Sequence, residues 1–179
     1  MTEPVSRLLY REALGLFIFT EVFNFISNRM NDQSKFYILG KSEFSDDGAV
    51  VEYRNNDNNH TVWEFEQVMI SSKEKGPVTY ETIQGIGLKH SKLYDRQMVS
   101  RQGLLIFLEK QGELNVSAIK DSLMQAHKYQ FYAIWCLETV YGPFRTYALA
   151  EIDIESTIYH KGRVEFDLYA ESYSITDMK

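Results

Sequence analysis

The chain has 179 residues, of which 44% are hydrophobic and 25% charged, and this balance is typical of one folded domain spanning residues 1–179. These values exclude a disordered chain, and a single cysteine excludes a disulfide-stapled miniprotein. With 19 basic and 25 acidic residues, the net charge of −6 disfavours a protein that coats nucleic acid. Aromatic residues make up 14% of the chain, a content that suits a large core or subunit interfaces.

Residues 4–28 are predicted to form one long helix, with Pro4 in its first turn and apolar residues at helical spacing. Its apolar run, 14–26, is shorter than the roughly 20 residues that span a bilayer. The run also contains Glu21, so neither a membrane span nor a secretory signal is predicted. A helix that is apolar nearly all round needs cover on two sides, either from a sheet and a loop or from a neighbouring subunit.

Alternating apolar residues then predict a hairpin of strands 35–40 and 49–53 around a turn at 45–48. Further strands are expected at 61–70 and 78–83. The segment 84–102 has two glycines and no clean period, and it is expected to be an irregular, extended arm. This arm contains four basic residues and a single acidic residue, Asp95. The basic residues are Lys89, Lys92, Arg96 and Arg101.

A buried strand at 104–108 precedes a second helix, predicted near 115–128 with Asn115 as its N-cap. The apolar run 131–140 suits either a strand or a continuation of that helix. Cys136 lies in this run, where a thiol usually behaves as a small buried hydrophobe, and a reducing compartment fits best.

The C-terminal residues alternate apolar and acidic side chains on two arms, which predicts an antiparallel hairpin with one wet face. A three-residue turn at 160–162, with Gly162 in the left-handed position, would pair Tyr159 with Arg163. The same register would place Glu155 opposite Asp167 and Glu151 opposite Glu171. The six carboxylates expected on the wet face are Glu151, Asp153, Glu155, Glu165, Asp167 and Glu171.

This acidic face has three interpretations. It is either simply solvated, or it meets the basic segment 89–101 of another copy in a head-to-tail contact that closes a ring or continues a filament. A divalent cation held by these acids is a weaker interpretation, because calcium loops gather their ligands in a curved turn.

No sequence motif declares a chemistry, so no catalytic, cofactor or metal residue is predicted. The four histidines are far apart. Gly85-Ile86-Gly87, followed by Lys89 and His90, has some features of a phosphate-binding loop but lacks the third glycine. An acid–base pair of His127 and Glu138 would need the fold to bring them together.

The predicted fold class is α+β, with a mainly antiparallel sheet packed by the N-terminal helix and the helix near 115–128. This order of elements is similar to tail terminator and tail-completion proteins of tailed bacteriophages. The run Phe36-Tyr37-Ile38-Leu39-Gly40-Lys41-Ser42-Glu43, followed by Asp46-Asp47, resembles the opening strand and turn of phage baseplate wedge proteins, without the Pro-Trp expected after Ser-Glu. The resemblance implies a virion component that forms rings, has no catalytic residues and assembles in the host cytoplasm.

The leading hypothesis is therefore a non-enzymatic assembly protein, most plausibly a phage tail subunit, whose partners are further copies of itself and neighbouring virion proteins. Neither a membrane nor nucleic acid is an expected partner. A first alternative is a ligand-binding or enzymatic α+β domain with a pocket between sheet and helix, formed by Trp63, Tyr80, His90 and Trp135. A second alternative is an acidic immunity-type protein that binds a basic partner.

Overall fold

The computed structural model describes residues 5–40, 47–54, 60–71, 73, 76–94, 102–109, 112, 114–125, 131, 133–140, 145–152, 158–167 and 172–176. Within these ranges three helices and eight strands are present. The helices are α1 (Val5–Arg29), α2 (Val78–Tyr94) and α3 (Val116–Gln125). The strands are β1 (Ser34–Gly40), β2 (Ala49–Arg54), β3 (His60–Ile70), β4 (Gln102–Leu108), β5 (Ile134–Val140), β6 (Arg145–Ile152), β7 (Ile158–Asp167) and β8 (Ser172–Thr176).

All eight strands form one sheet in which spatial order follows chain order. The expected combination of helices with a sheet is present, but the sheet is mixed: β3–β4 and β4–β5 pair in parallel, and the other pairs are antiparallel. A parallel pair needs a crossover, and α2 and α3 supply the two crossovers. The prediction missed this because alternating apolar residues do not reveal the relative direction of two strands.

The N-terminal helix is confirmed, and the sheet itself covers it. Helix α1 contacts β1 and β2 near one edge of the sheet and β6, β7 and β8 near the other, so the sheet curves around it as a half-barrel. Phe19 is fully buried at the centre of this core. Its ring centroid lies 4.3 Å from Phe23, 4.7 Å from Phe65 and 5.1 Å from Trp135. Both buried sides of α1 therefore find their cover within the same chain.

The opposite face of the sheet carries a second core against α2 and α3. Cys136 belongs to it as a buried free thiol whose pKa is raised by burial, which confirms the prediction of a small buried hydrophobe. The expected strand at 78–83 and the irregular arm at 84–94 are wrong, because this stretch is helix α2. Residues 95–101 lie outside the described residues. Val78, Thr82 and Ile86 recur every four residues on the buried side of α2.

Other sequence predictions are confirmed. Strands β1 and β2 form the expected antiparallel hairpin. Asn115 caps α3, since its side-chain oxygen accepts a hydrogen bond from the backbone N–H of Ala118 at 3.0 Å. The ambiguous run 131–140 contains strand β5. No helix in the described ranges is long and apolar enough to cross a membrane.

The C-terminal hairpin exists, but its predicted register is wrong. Ile152 pairs with Ile158, and the residues between them, 153–157, lie outside the described part. Glu151 is opposite Tyr159 and Asp167 is opposite Ser172. Gly162 lies inside β7, where a Cβ atom would come within 2.9 Å of Cγ1 of Val22. The glycine therefore serves close packing of α1 on the sheet, and it does not form the turn.

Candidate binding site

A partly buried lysine joins three parts of the chain. Lys89 of α2 places its Nζ atom 2.6 Å from Oδ2 of Asp47, just before β2, and 2.8 Å from Oε2 of Glu66 on β3. Only 21% of the Lys89 side chain is exposed, with 15% for Asp47 and 7% for Glu66. We call these three residues the Lys89 cluster. Buried charges of this kind require partners, and each carboxylate has the same ammonium group as its partner.

Local backbone geometry positions Asp47 and Gln67. Gly48 has a φ of 122°, which glycine adopts without strain, and this residue turns the chain from Asp47 into β2. Oδ2 of Asp47 also accepts a hydrogen bond from the backbone N–H of Gln67 at 2.7 Å. The side-chain amide of Gln67 donates to the carbonyl oxygens of Glu12 and Asp47, at 3.1 and 3.3 Å. Helix α1, strand β3 and the turn before β2 are therefore joined at one place.

The cluster shifts two pKa values. Burial raises the pKa of Glu66 and outweighs the opposing influence of the Lys89 ammonium. Burial alone would lower the pKa of Lys89, but the hydrogen bonds and charges of Asp47 and Glu66 more than offset it, so that the pKa is raised. Lys89 is therefore held as an ammonium ion. It acts as a hydrogen-bond donor and a counter-charge and does not supply a neutral amine nucleophile.

A cavity of about 260 Å³ adjoins this cluster, between α1, β3 and α2. Its walls combine a polar end with an apolar part, the mixture typical of ligand sites. The lining residues are Glu12, Asp47, Gln67, Val68, Met69, Lys89 and Phe107. We call it the β3 pocket. Within the described ranges, no group of three or more His, Cys, Asp or Glu side chains is arranged to hold a metal ion.

The basic segment 89–101 and the acidic hairpin face, which are expected to meet between copies, lie only partly within the described residues. Lys89 pairs with acids of its own chain, which removes it from the proposed contact between copies. Of the other basic residues, Lys92 lies on α2 with its side chain outside the described part, and Arg96 and Arg101 lie outside it altogether.

The single acidic hairpin face is wrong for the two acids whose side chains are described. Glu151 is the register partner of Trp135 in the α1-side core, whereas Glu165 follows Val164 of that same core and so points to the opposite face. Asp167 has a described backbone only. Asp153, Glu155 and Glu171 lie outside the described residues.

Of the aromatic residues predicted for a pocket, Trp63 and Trp135 lie together, with ring centroids 6.3 Å apart in an edge-to-face arrangement. Trp135 is buried against Phe19 in the α1-side core, and Trp63 donates its indole N–H to Oε2 of Glu52 at 3.2 Å. Tyr80 is exposed on α2. The side chain of His90 and all of His127 lie outside the described part, while Gly85 and Gly87 belong to α2 and not to a phosphate-binding loop.

Sequence reasoning did not identify Glu12, Asp47, Glu66 or Gln67 as site residues. One signal was available, because β3 carries Glu64, Glu66 and Gln67 in the middle of the sheet, where charged side chains are rare unless they are paired. Nothing in the sequence indicates that the partner of Glu66 is Lys89, because the two residues are joined only by the packing of α2 on β3.

A second surface feature is a group of exposed apolar side chains on β1, β2 and β3. Tyr37, Tyr53 and Val62 are 55%, 49% and 40% exposed and share one face of the sheet. The rings of Tyr37 and Tyr53 lie 5.8 Å apart in an edge-to-face arrangement. Leu39, also on β1, is 51% exposed. We call Tyr37, Tyr53 and Val62 the β1–β3 apolar patch.

The sequence matches no protein-family model and no curated protein sequence.

Proposed function

We propose that the chain is a binding protein whose ligand occupies the β3 pocket. The observation that carries this proposal is the convergence of Glu12, Asp47, Gln67 and Lys89 on one cavity with apolar walls. A pocket that combines convergent polar groups with shifted pKa values is the usual form of a ligand site. Binding is favoured over covalent chemistry because Lys89 remains protonated between two acids.

Binding of small-molecule fragments, followed by NMR of the whole chain, tests the proposal. We expect some fragments to shift the resonances of Met69 and Phe107, which line the pocket. Replacement of Lys89 by Gln should weaken their binding about tenfold, since hydrogen bonds to charged groups contribute about 1.5–3 kcal/mol.

Lys35→Gln is the matched control, because Lys35 lies on β1 and bonds to Asn28, outside the pocket. Its fragment affinities should equal those of the wild type. A screen in which no fragment shifts the pocket resonances contradicts the proposal, and so does binding that is equally strong in folded Lys89→Gln.

A second candidate function is the assembly role of a phage tail subunit, and the β1–β3 apolar patch favours it. Exposed aromatic and aliphatic side chains grouped on one face are typical of interaction sites. This proposal no longer depends on opposed charged surfaces, since Lys89 is used within the chain.

Mass measurement in solution together with particle imaging tests the assembly role. We expect a concentration-dependent oligomer, with rings visible in the images. A chain that stays monomeric at all salt and protein concentrations contradicts it.

A further inference from the structure

Charges of both signs lie side by side at the polar end of the β3 pocket. Nζ of Lys89 is 2.6 Å from Oδ2 of Asp47 and 2.8 Å from Oε2 of Glu66. Lys89 and Asp47 line the pocket, and most of each side chain is buried. A ligand that reaches this end therefore comes close to an ammonium group and to a carboxylate at the same time.

This arrangement disfavours a ligand with a net charge. An anion that approaches Lys89 also comes near the carboxylate of Glu66, and a cation that approaches Glu66 comes near the ammonium group of Lys89. Either ion would lose its hydration on entering a largely buried site, and a buried charge without a counter-charge of its own is costly. The ammonium group of Lys89 is already paired within the chain. An uncharged molecule avoids both penalties.

The other polar residues of the lining also have partners within the chain. Nε2 of Gln67 donates to the carbonyl oxygens of Glu12 and Asp47, at 3.1 and 3.3 Å. Oδ2 of Asp47 accepts from the backbone N–H of Gln67 as well as from Lys89. Glu12 and Asp47 each have further interactions within the chain. A ligand therefore has to obtain most of its binding free energy from apolar contact.

The apolar wall contains a methionine and a phenylalanine on neighbouring strands. Met69 on β3 and Phe107 on β4 are register partners, and both line the pocket. The ring of Phe107 is held in place by Tyr147, whose centroid is 5.9 Å away in an edge-to-face arrangement. Aromatic rings pack favourably against other rings and against the sulfur atom of methionine. The volume of about 260 Å³ is sufficient, since an apolar cavity of about 150 Å³ already holds benzene.

We propose that the β3 pocket selects an uncharged ligand with an aromatic ring, which lies against Met69 and Phe107 and directs a neutral polar group toward Lys89. A carboxamide is one such group, because its N–H and C=O suit an end where an ammonium group adjoins a carboxylate. The inference rests on the proposed function and names the ligand class of the same pocket.

NMR titration of the full chain with four compounds of similar size tests this inference. Benzamide is uncharged, benzoate is an anion, benzamidinium is a cation, and cyclohexanecarboxamide has an aliphatic ring in place of the aromatic one. We expect benzamide to bind at least about tenfold more tightly than either ion, and about threefold more tightly than cyclohexanecarboxamide. The ring current of benzamide should move the methyl resonance of Met69 upfield, and cyclohexanecarboxamide should not. Loss of that resonance in Met69→Leu assigns it.

Lys89→Gln tests the origin of the charge selectivity. In this variant Glu66 lacks its ammonium partner, so a cation no longer comes near a like charge. We expect the affinity for benzamidinium, relative to that for benzamide, to rise about tenfold or more. Lys35→Gln, whose lysine bonds to Asn28 outside the pocket, should keep the wild-type ratio. If Lys89→Gln does not fold, the four wild-type affinities still decide the proposal.

Several outcomes overturn the inference. They are tighter binding of either ion than of benzamide, equal binding of benzamide and cyclohexanecarboxamide, failure of benzamide to bind, and an unchanged affinity ratio in folded Lys89→Gln. The fragment screen distinguishes the two levels of failure. If fragments bind in a Lys89-dependent manner but are charged or aliphatic, the pocket is a ligand site and the ligand class is wrong. If no fragment binds, both proposals are wrong.

Discussion

Lys89 of α2 joins β3 and the turn before β2 through two ion pairs. Lys89→Met would remove the ammonium group that lies between the largely buried carboxylates of Asp47 and Glu66. We expect the free energy of unfolding to fall by about 2–4 kcal/mol, somewhat less than for a fully buried pair because Lys89 retains some exposure. Urea unfolding measures this change.

Two variants complete the Lys89 test. Lys35→Met removes a lysine whose Nζ atom bonds to Asn28 in an exposed position, and it should change stability by less than about 0.5 kcal/mol. Adding Glu66→Gln to Lys89→Met should recover part of the loss, since the side chain of residue 66, which has lost its ammonium partner, is then neutral. A loss below about 1 kcal/mol for Lys89→Met would show that the cluster contributes little to stability.

Tyr173 provides a prediction about alkaline pH. Its hydroxyl donates to Oε2 of Glu21 at 2.7 Å, and this hydrogen bond, with burial and the nearby negative charge, raises the pKa of Tyr173 to about 12 from 10.0. Because the pKa is higher in the folded state, the stabilisation is complete below pH 10 and is lost as the pH rises toward 12. Lys89, whose pKa is also raised, loses its contribution in the range above its ordinary value of 10.5.

Urea unfolding from about pH 8 to about pH 11 measures this dependence. The stability of the wild type should fall over the upper part of this range, and Tyr173→Phe should show a smaller fall. Tyr80→Phe, which changes an exposed tyrosine on α2, should follow the wild-type curve. A Tyr173→Phe curve parallel to that of the wild type would contradict the prediction.

For individual residues, the sequence correctly predicts a role that depends on neighbours close by in the chain. Asn115 is recognised as a cap because its partner is three residues away, and Cys136 as buried because its neighbours are apolar. Lys89 and Asp47 are 42 residues apart, and their contact depends on the packing of whole elements. The same lysine, seen only as one of a group of basic residues, was therefore assigned to a surface.

Among the elements, α2 departs most from the sequence prediction, and Gly85 explains both the departure and the packing. Glycine lowers helix propensity, which hides the helix in the sequence. A Cβ atom at position 85 would lie 2.6 Å from Cγ1 of Val68 and 3.3 Å from Cδ1 of Ile70. The glycine thus permits the close approach of α2 to β3 that brings Lys89 to Glu66.

Gly85→Ala tests this explanation. The substitution favours an isolated helix by about 1 kcal/mol. We nevertheless expect a net destabilisation of about 1–2 kcal/mol in urea unfolding, because overpacking costs about 1–3 kcal/mol. Gln84→Ala, at an exposed neighbouring position, should be close to neutral. If Gly85→Ala stabilises the protein, α2 tolerates a wider spacing from β3 than this packing implies.

The C-terminal hairpin shows a related limit. Period-two alternation correctly identifies β6 and β7, but the register depends on where the chain turns. Gly162 suggested a turn, whereas its small size is needed against Val22 of α1, more than a hundred residues earlier in the chain. A glycine selected by a distant contact cannot be distinguished in the sequence from one selected by a turn.

For the whole molecule, the curved sheet decides which apolar surfaces remain accessible. The apolar N-terminal helix suggested a subunit interface, but β1 and β8 approach it from opposite edges of the sheet and bury it. Asn24 of α1 also bonds to both the N–H and the C=O of Phe36, at 2.8 and 2.9 Å, and so covers part of the edge of β1. The β1–β3 apolar patch, in contrast, is exposed.

Replacing two tyrosines of this patch tests whether it mediates self-association. In Tyr37→Ser/Tyr53→Ser, an edge-to-face ring pair is lost from the centre of the proposed contact. We expect the dissociation constant measured by analytical ultracentrifugation to rise by at least about tenfold, because buried aromatic residues dominate the binding free energy of interfaces. Tyr80→Ser removes one equally exposed tyrosine from α2 and should leave association unchanged.

Tyr37 and Tyr53 are each about half exposed, so the double variant should keep the wild-type fold by circular dichroism. An unchanged dissociation constant in that folded variant would exclude the patch as the interface. Because the patch and the β3 pocket are formed by different residues, fragment binding should persist in the double variant, and this separates the assembly hypothesis from the ligand-binding one.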